Sequence, residues 1–256
     1  MTTELARLLW QARRDGGVVR PDYIDPPKTS AEAHAIQHQI AALSGYSARG
    51  FKVGSTSLEA QRILGTDEPG AGLLLAPFVH ESPARVTIVA EHTPAVEGEF
   101  AFRLGRDLPP RDRPYSLDEV ASAVAAVAGA IEVVGSRFAG GLAGKGRLLV
   151  TADCGANVAL VCGAWHERFP LADLPNHPVT MTINGTPRGS GTGSRALGDP
   201  LNVLVWLANG QSVAGLGLKA GEIVSTGTCT GLDAVMPGDG ARADFGILGA
   251  VEISFV

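Results

Sequence analysis

Apolar residues in the first part of the chain recur at the three-and-four spacing of amphipathic helices, whereas from Leu73 onward they alternate or cluster as in strands. Residues 1–17, MTTELARLLWQARRDGG, predict a helix ending at Gly16-Gly17. Thr29 and Glu32 form a capping box ahead of Ile36, Ile40 and Leu43, with Gly45 as the stop. A short strand is predicted over 50–54 and a short helix over 56–64. Strands follow over 85–89, 95–104, 130–134, 158–162 and 179–183, the last leading into a hairpin at Asn184-Gly185. Ser116 and Glu119 predict a helix over 117–128, and Asp199-Pro200 another over 201–208. The tail, 221–225 and 251–255, returns to strand and turn. The expected fold is α+β, with a large, mainly antiparallel or mixed sheet. Lacking a repeat or linker, residues 1–256 are expected to form one unit, with 1–70 mostly helical and 71–256 β-rich.

Composition narrows the function. Hydrophobic residues at 45 % and charged residues at 18 % describe an ordered globular chain. A net charge of −5 and the lack of a basic run argue against a nucleic-acid partner. Cys154, Cys162 and Cys229 are scattered and suggest neither a disulfide framework nor a zinc knuckle. The first residues are too charged for a secretion signal, and no apolar stretch is long enough to span a bilayer, so no membrane is expected and a cytoplasmic location is the default.

The candidate chemistry lies in the acids. On a strand over 95–104, Glu97 and Glu99 share one face, with Phe100 and Phe102 on the other. Two carboxylates so close repel, so that face is either solvated or bridged by a cation. Glu132 lies in the apolar run Ala130-Ile131-Glu132-Val133-Val134, where a glutamate needs a partner. Arg137 would serve, and so would a cation shared with Glu97 and Glu99. An all-oxygen ligand set suits Mg²⁺ or Mn²⁺ rather than zinc. Lys52, between Gly50 and Gly54, reads either as a snorkelling surface lysine or as an acid/base. Asp153 reads as a turn residue or a further site acid. His34 and His38 lack the acidic partner of a zinc protease motif. The run Gly189-Ser190-Gly191-Thr192-Gly193-Ser194 lacks the lysine of a nucleotide loop, and a flexible loop near a small anionic substrate is expected instead.

Several segments in order carry a resemblance: Gly50-Phe51-Lys52-Val53-Gly54-Ser55-Thr56-Ser57, Leu64-Gly65-Thr66-Asp67-Glu68-Pro69 and Val96-Glu97-Gly98-Glu99-Phe100-Ala101. The pattern continues through Ile131-Glu132-Val133-Val134-Gly135-Ser136-Arg137, Ala152-Asp153, Leu197-Gly198-Asp199-Pro200, Trp206-Leu207-Ala208 and Gly221-Glu222-Ile223-Val224-Ser225-Thr226-Gly227. Over nearly its whole length the chain resembles the 2-keto-4-pentenoate hydratase / 4-oxalocrotonate decarboxylase branch of the fumarylacetoacetate hydrolase superfamily. The resemblance implies a mixed β-sheet roll with flanking helices, and a homo-oligomer. It also implies Mg²⁺ or Mn²⁺ on Glu97, Glu99 and Glu132, with Lys52 in the active site. Its implied activity is that of a lyase on 2-hydroxydienoates or 2-oxo acids, in meta-cleavage catabolism of aromatic compounds. Ser136, Arg137 and the glycine-rich loop are candidates for binding the far end of that substrate, and Asp153 is grouped with them. One position departs from the hydratase pattern, in which an aspartate follows the proline: here it is Gly70. The decarboxylases also lack that acid, whereas Val134-Gly135-Ser136-Arg137 looks more like the hydratase version, so both reactions stay open. An acylpyruvate hydrolase, a tautomerase and a non-catalytic binding subunit are the remaining alternatives.

Overall fold

The computed structural model describes residues 3–256. Helices α1 (Glu4–Asp15) and α2 (Ser30–Ser44) precede strand β1 (Ala48–Gly54), helix α3 (Leu58–Leu64) and strands β2 (Gly70–Leu75), β3 (Val79–Glu81) and β4 (Ala84–Val86). Strand β5 (Ala95–Leu104), helix α4 (Leu117–Ala121) and strand β6 (Val124–Val134) lead to helix α5 (Gly146–Ala152) and strand β7 (Asn157–Cys162). There follow the hairpin of β8 (Pro178–Ile183) and β9 (Thr186–Thr192), then helix α6 (Pro200–Val213). Strands β10 (Ile223–Ser225), β11 (Asp233–Ala234), β12 (Gly240–Asp244) and β13 (Ala250–Phe255) complete the chain.

The strands make two mixed sheets. The larger runs β2-β1-β10-β5-β6-β7-β3 with β11 beside β5, and the smaller runs β4-β13-β12-β8-β9. Pairing is parallel at β1/β10, β3/β7 and β4/β13, and antiparallel elsewhere. Strand alternation sends Phe100, Phe102, Ile131 and Val133 from the large sheet into one apolar core with Met181, Val251 and Ile253 from the small one and Phe245 from the β12–β13 connection. A second core joins Leu5, Leu9, Ile36 and Ile40 of α1 and α2 to Leu75, Phe138 and Ala152. Thr3 and Thr29 cap α1 and α2 through their side chains, and Gly16 and Gly45 end them in the left-handed conformation, at φ 78° and 70°. Among the described residues no helix is long and apolar enough to cross a membrane.

Two local expectations are corrected. The helix predicted over 117–128 ends at Ala121, and 124–134 is strand β6. Alanine favours a helix, but β6 pairs with β5 along its length, with a bridge from Val127 to His166 and then β7 from Ala130 on its other edge, and that pairing overrides propensity. Gly129 of β6 lies under the buried Phe245 ring, where an added Cβ would overlap the ring. Gly129→Ala is therefore expected to destabilise the fold by roughly 2–3 kcal/mol. Thermal melting would register this as a fall of about 4–12 °C; an unshifted melt would refute the packing argument. The second correction concerns the glycine-rich run. Most of it is strand β9, paired with β8, and Gly189 and Gly191 pass so close to the Thr230 and Cys229 carbonyls that a side chain would collide. Its glycines serve close packing rather than flexibility. Helix α6 also runs on to Val213, and strands β2, β3 and β12 and helix α5 went unpredicted because none shows a clear local period.

Candidate metal centre and active site

Strand register builds the acidic cluster. Glu97 sits directly opposite Glu132 across β5 and β6, and Glu99 opposite Ala130. At Gly98, between the two acids, an added Cβ would crowd Thr230 and Val179, and the amide donates to Thr230 Oγ1 at 2.9 Å. On the other side of β5, Lys52 pairs with Ser225 and Ser225 with Ala101, which brings Lys52 to the face of the acids. One oxygen from each of Glu97, Glu99 and Glu132 lies within 4.8 Å of the others. Glu99 and Glu132 are 0 % exposed and Lys52 is 4 % exposed.

The hydrogen bonds are uneven. Lys52 Nζ lies 3.0 Å from Glu132 Oε2 and donates to Gly155 O at 3.1 Å. Glu132 Oε1 accepts from Asn157 Nδ2 at 2.9 Å. Glu99 Oε2 accepts from Ser225 Oγ and from the Gly227 amide, the latter at 2.9 Å. Glu99 Oε1 is buried with no hydrogen-bond partner, and Glu132 Oε2 has only the ammonium contact, without hydrogen-bond alignment. Burial, with repulsion from Glu132, raises Glu97 to about 7 against the pull of Lys52. Burial, then Glu132 and Glu97, pushes Glu99 well above the usual carboxylate range. Burial alone would lower Lys52, but Glu132, Glu97 and Glu99 outweigh it and hold the ammonium above the usual lysine range. Buried, mutually repelling carboxylates with oxygens left unpaired suit a hard divalent cation.

Lys52 and Glu97 open onto a cavity of about 440 Å³. Its walls are apolar at Leu64, Val134, Leu142, Val150 and Leu232, and carry Ser55, Ser57, Arg147 and Arg195 as polar groups. Gly70 lines it too, with ordinary room for a side chain: a Cβ there would lie 3.6 Å from Arg147 Cγ and Thr151 Oγ1.

Ser136, Arg137 and Asp153 are buried and do not line this cavity. Arg137 Nε contacts Asp153 Oδ1 at 2.6 Å, so its partner is Asp153 and not Glu132. Ser136 Oγ accepts from the Phe138 amide at 3.1 Å, as a turn residue does. No residue of the glycine-rich run lines the cavity, whereas Arg195, directly after it, does. Sequence reasoning gave no role to Asn157, Gly155, Arg147 or Arg195. Each is a common residue type in an unremarkable local pattern, and no local signal marks it.

Two buried carboxylates and a half-buried third lie beside a buried lysine on one face of the large sheet, next to a cavity, a donor set that suits a divalent-metal enzyme. The family described as "Fumarylacetoacetate (FAA) hydrolase C-terminal" matches residues 71–256, and the chain belongs to the fumarylacetoacetate hydrolase family. It is 33% identical over 257 residues to the 2-keto-4-pentenoate hydratase of Paraburkholderia xenovorans (strain LB400), covering 98% of this chain and 94% of that protein. It is 30% identical over 234 residues to a 4-oxalocrotonate decarboxylase of Pseudomonas sp, covering 90% and 88%. The solved 4-oxalocrotonate decarboxylase from Pseudomonas putida G7, complexed with magnesium and adipate, matches with a TM-score of 0.87 at 26% identity, across 98% of this chain and 96% of that one.

Proposed function

We propose that the protein is a divalent-metal-dependent lyase of 2-hydroxydienoates and 2-oxo acids, and specifically a 2-keto-4-pentenoate hydratase of meta-cleavage catabolism. The observation that carries this reading is the convergence of Glu97, Glu99 and Glu132 on Lys52 at the edge of a cavity. The resemblance to a hydratase across nearly the whole chain supports it. Lys52 comes from the N-terminal part and the acids from the β-rich part, which favours one catalytic unit spanning residues 1–256. We read that unit as a cytoplasmic homo-oligomer.

Glu97, Glu99 and Glu132 would hold Mg²⁺ or Mn²⁺. When bound, such a cation supplies a Lewis acid for the carboxylate and keto oxygens of a 2-oxo acid. Lys52 Nζ, 3.0 Å from Glu132 Oε2 and at the cavity wall, is the group placed to carry a proton to or from the substrate carbons. From 2-hydroxypenta-2,4-dienoate, the 2-OH proton leaves as a proton goes to C5, giving the 2-oxo-3-enoate; water then adds its hydroxyl at C4 and its proton at C3, giving 4-hydroxy-2-oxopentanoate. The apolar walls at Leu64, Val134 and Leu142 fit the carbon chain and limit the entry of stray water.

Gly70 favours a second reading, decarboxylation of a 4-oxalocrotonate-type diacid, since the acid expected of a hydratase is missing there. Incubation with Mg²⁺ and each substrate separates the two. Gain of one water on 2-hydroxypenta-2,4-dienoate, seen by product mass and loss of ultraviolet absorbance, is the expected result. Loss of CO₂ from 2-oxo-3-hexenedioate alone would replace hydratase by decarboxylase. Inertness toward both, with and without Mg²⁺, would overturn the lyase assignment.

A further inference from the structure

Cys154, Gly155 and Ala156 are three consecutive residues at positive φ, 51°, 65° and 59°. That backbone is unfavourable for cysteine and alanine and persists only where surrounding contacts impose it. Backbone bonds from the Gly135 amide to Ala156 O at 2.8 Å and from the Ala156 amide to Asp153 O at 2.9 Å hold part of it, and two arginines hold its flanks. Arg137 Nη2 donates to Asp153 O at 2.6 Å, just before the turn, and Nη1 to Asn157 O at 2.9 Å, just after it. Its Nε and backbone amide donate to the Asp153 carboxylate at 2.6 and 2.9 Å. Arg13, from α1, adds bonds to Asn157 O at 2.7 Å and Val158 O at 2.8 Å.

The clamped segment touches the site twice. Gly155 O accepts from Lys52 Nζ, and Asn157 Nδ2 donates to Glu132 Oε1. A Cβ on Gly155 would lie 2.6 Å from Lys52 Cδ, so the turn backbone packs directly on the lysine side chain.

We infer that Arg137, with Asp153 and Arg13, is a positioning residue that holds the strained left-handed turn 154–156 by its flanks, Asp153 and Asn157, and through it sets Lys52 and Glu132. The inference rests on the reading of Lys52 and the carboxylates as the working site. A buried arginine–carboxylate pair seldom adds net stability over an apolar pair of similar volume. Here its geometry has a use: one planar guanidinium bridges the carbonyls on both sides of the turn, which a lysine cannot do.

The test uses Arg137→Lys in the full-length protein. With Mg²⁺ and 2-hydroxypenta-2,4-dienoate, kcat is expected to fall at least tenfold while KM changes less than threefold. The Mn²⁺ dissociation constant, titrated without substrate, is expected to rise at least threefold. Adding Ala156→Gly lowers the backbone strain that the clamp opposes, and is expected to bring kcat back to within threefold of the parent. Should Arg137→Lys fail to fold, Arg13→Met is expected to lower kcat at least threefold and to be rescued by the same glycine. Parental kcat and Mn²⁺ affinity in the clamp variant would overturn the inference, as would a loss that Ala156→Gly leaves untouched. A parent protein that binds no Mn²⁺ would overturn the metal reading itself and this inference with it. A parent that binds Mn²⁺ beside an unchanged Arg137→Lys variant would overturn the clamp alone.

Discussion

Glu99→Gln is expected to abolish tight metal binding while leaving the metal-free protein as stable as the parent. Glu99 is fully buried, and its Oε1 has no hydrogen-bond partner. Burial, then the neighbouring acids Glu132 and Glu97, raise its carboxyl well above the usual carboxylate range, so a neutral amide costs the metal-free protein less there than at an exposed glutamate. The glutamine oxygen can take the bonds from Ser225 Oγ and the Gly227 amide, and its NH₂ can point at the other carboxylates. Stability without metal should therefore stay within about 1 kcal/mol of the parent. Changes to groups that merely orient metal ligands cost 10–100-fold in affinity, so losing a charged ligand should cost about 100-fold or more. The readout is the melting temperature with and without Mg²⁺. At a hundred times the dissociation constant, the parent gains about 2.7 kcal/mol, or roughly 5–10 °C at this chain length. The variant should gain almost nothing. An equal Mg²⁺ shift in both proteins would remove Glu99 from the ligand set.

Lys52→Met should do the reverse to metal binding. The ammonium sits 3.0 Å from Glu132 Oε2 and competes with any cation for the acids. Its removal should leave Mn²⁺ affinity unchanged or tighter, while turnover falls about 10²–10⁴-fold as the proton carrier is lost. The metal-free variant should be less stable by roughly 3 kcal/mol, because buried carboxylates lose their counter-charge. Saturating Mg²⁺ should recover much of that loss. Unchanged turnover would take Lys52 out of the mechanism. Weakened Mn²⁺ binding would mean that the lysine organises the metal ligands instead of competing with the ion. The opposite signs at positions 52 and 99 distinguish a working centre from a merely buried charge cluster.

Much of the architecture was legible because it depends on near neighbours. The side-chain cap at Thr29, the capping box at Ser116, the Asn184-Gly185 hairpin and the shared face of Glu97 and Glu99 all follow from local backbone geometry, although Glu32 bonds the Lys28 amide and leaves the Thr29 box half made. The helix wrongly extended through 117–128 shows the limit of that logic. Its alanines favour a helix on their own, and β5 on one side, with a bridge from Val127 to His166 on the other, makes them a strand.

The site divides along the same line. The chain alone determined that two acids would crowd one strand face, that Glu132 would need a partner, and that Lys52 lay in a tight glycine-flanked strand. It could not determine that Glu132 lies opposite Glu97, since register is set across strands distant in sequence. Nor could it tell that Arg137 answers Asp153 rather than Glu132, or that Ser136 faces away from the cavity. Side-chain alternation is a property of each strand and survives in any fold. Partnership between buried charges depends on which strands pair, in what register and over which turn, and those terms exist only once the sheets have assembled.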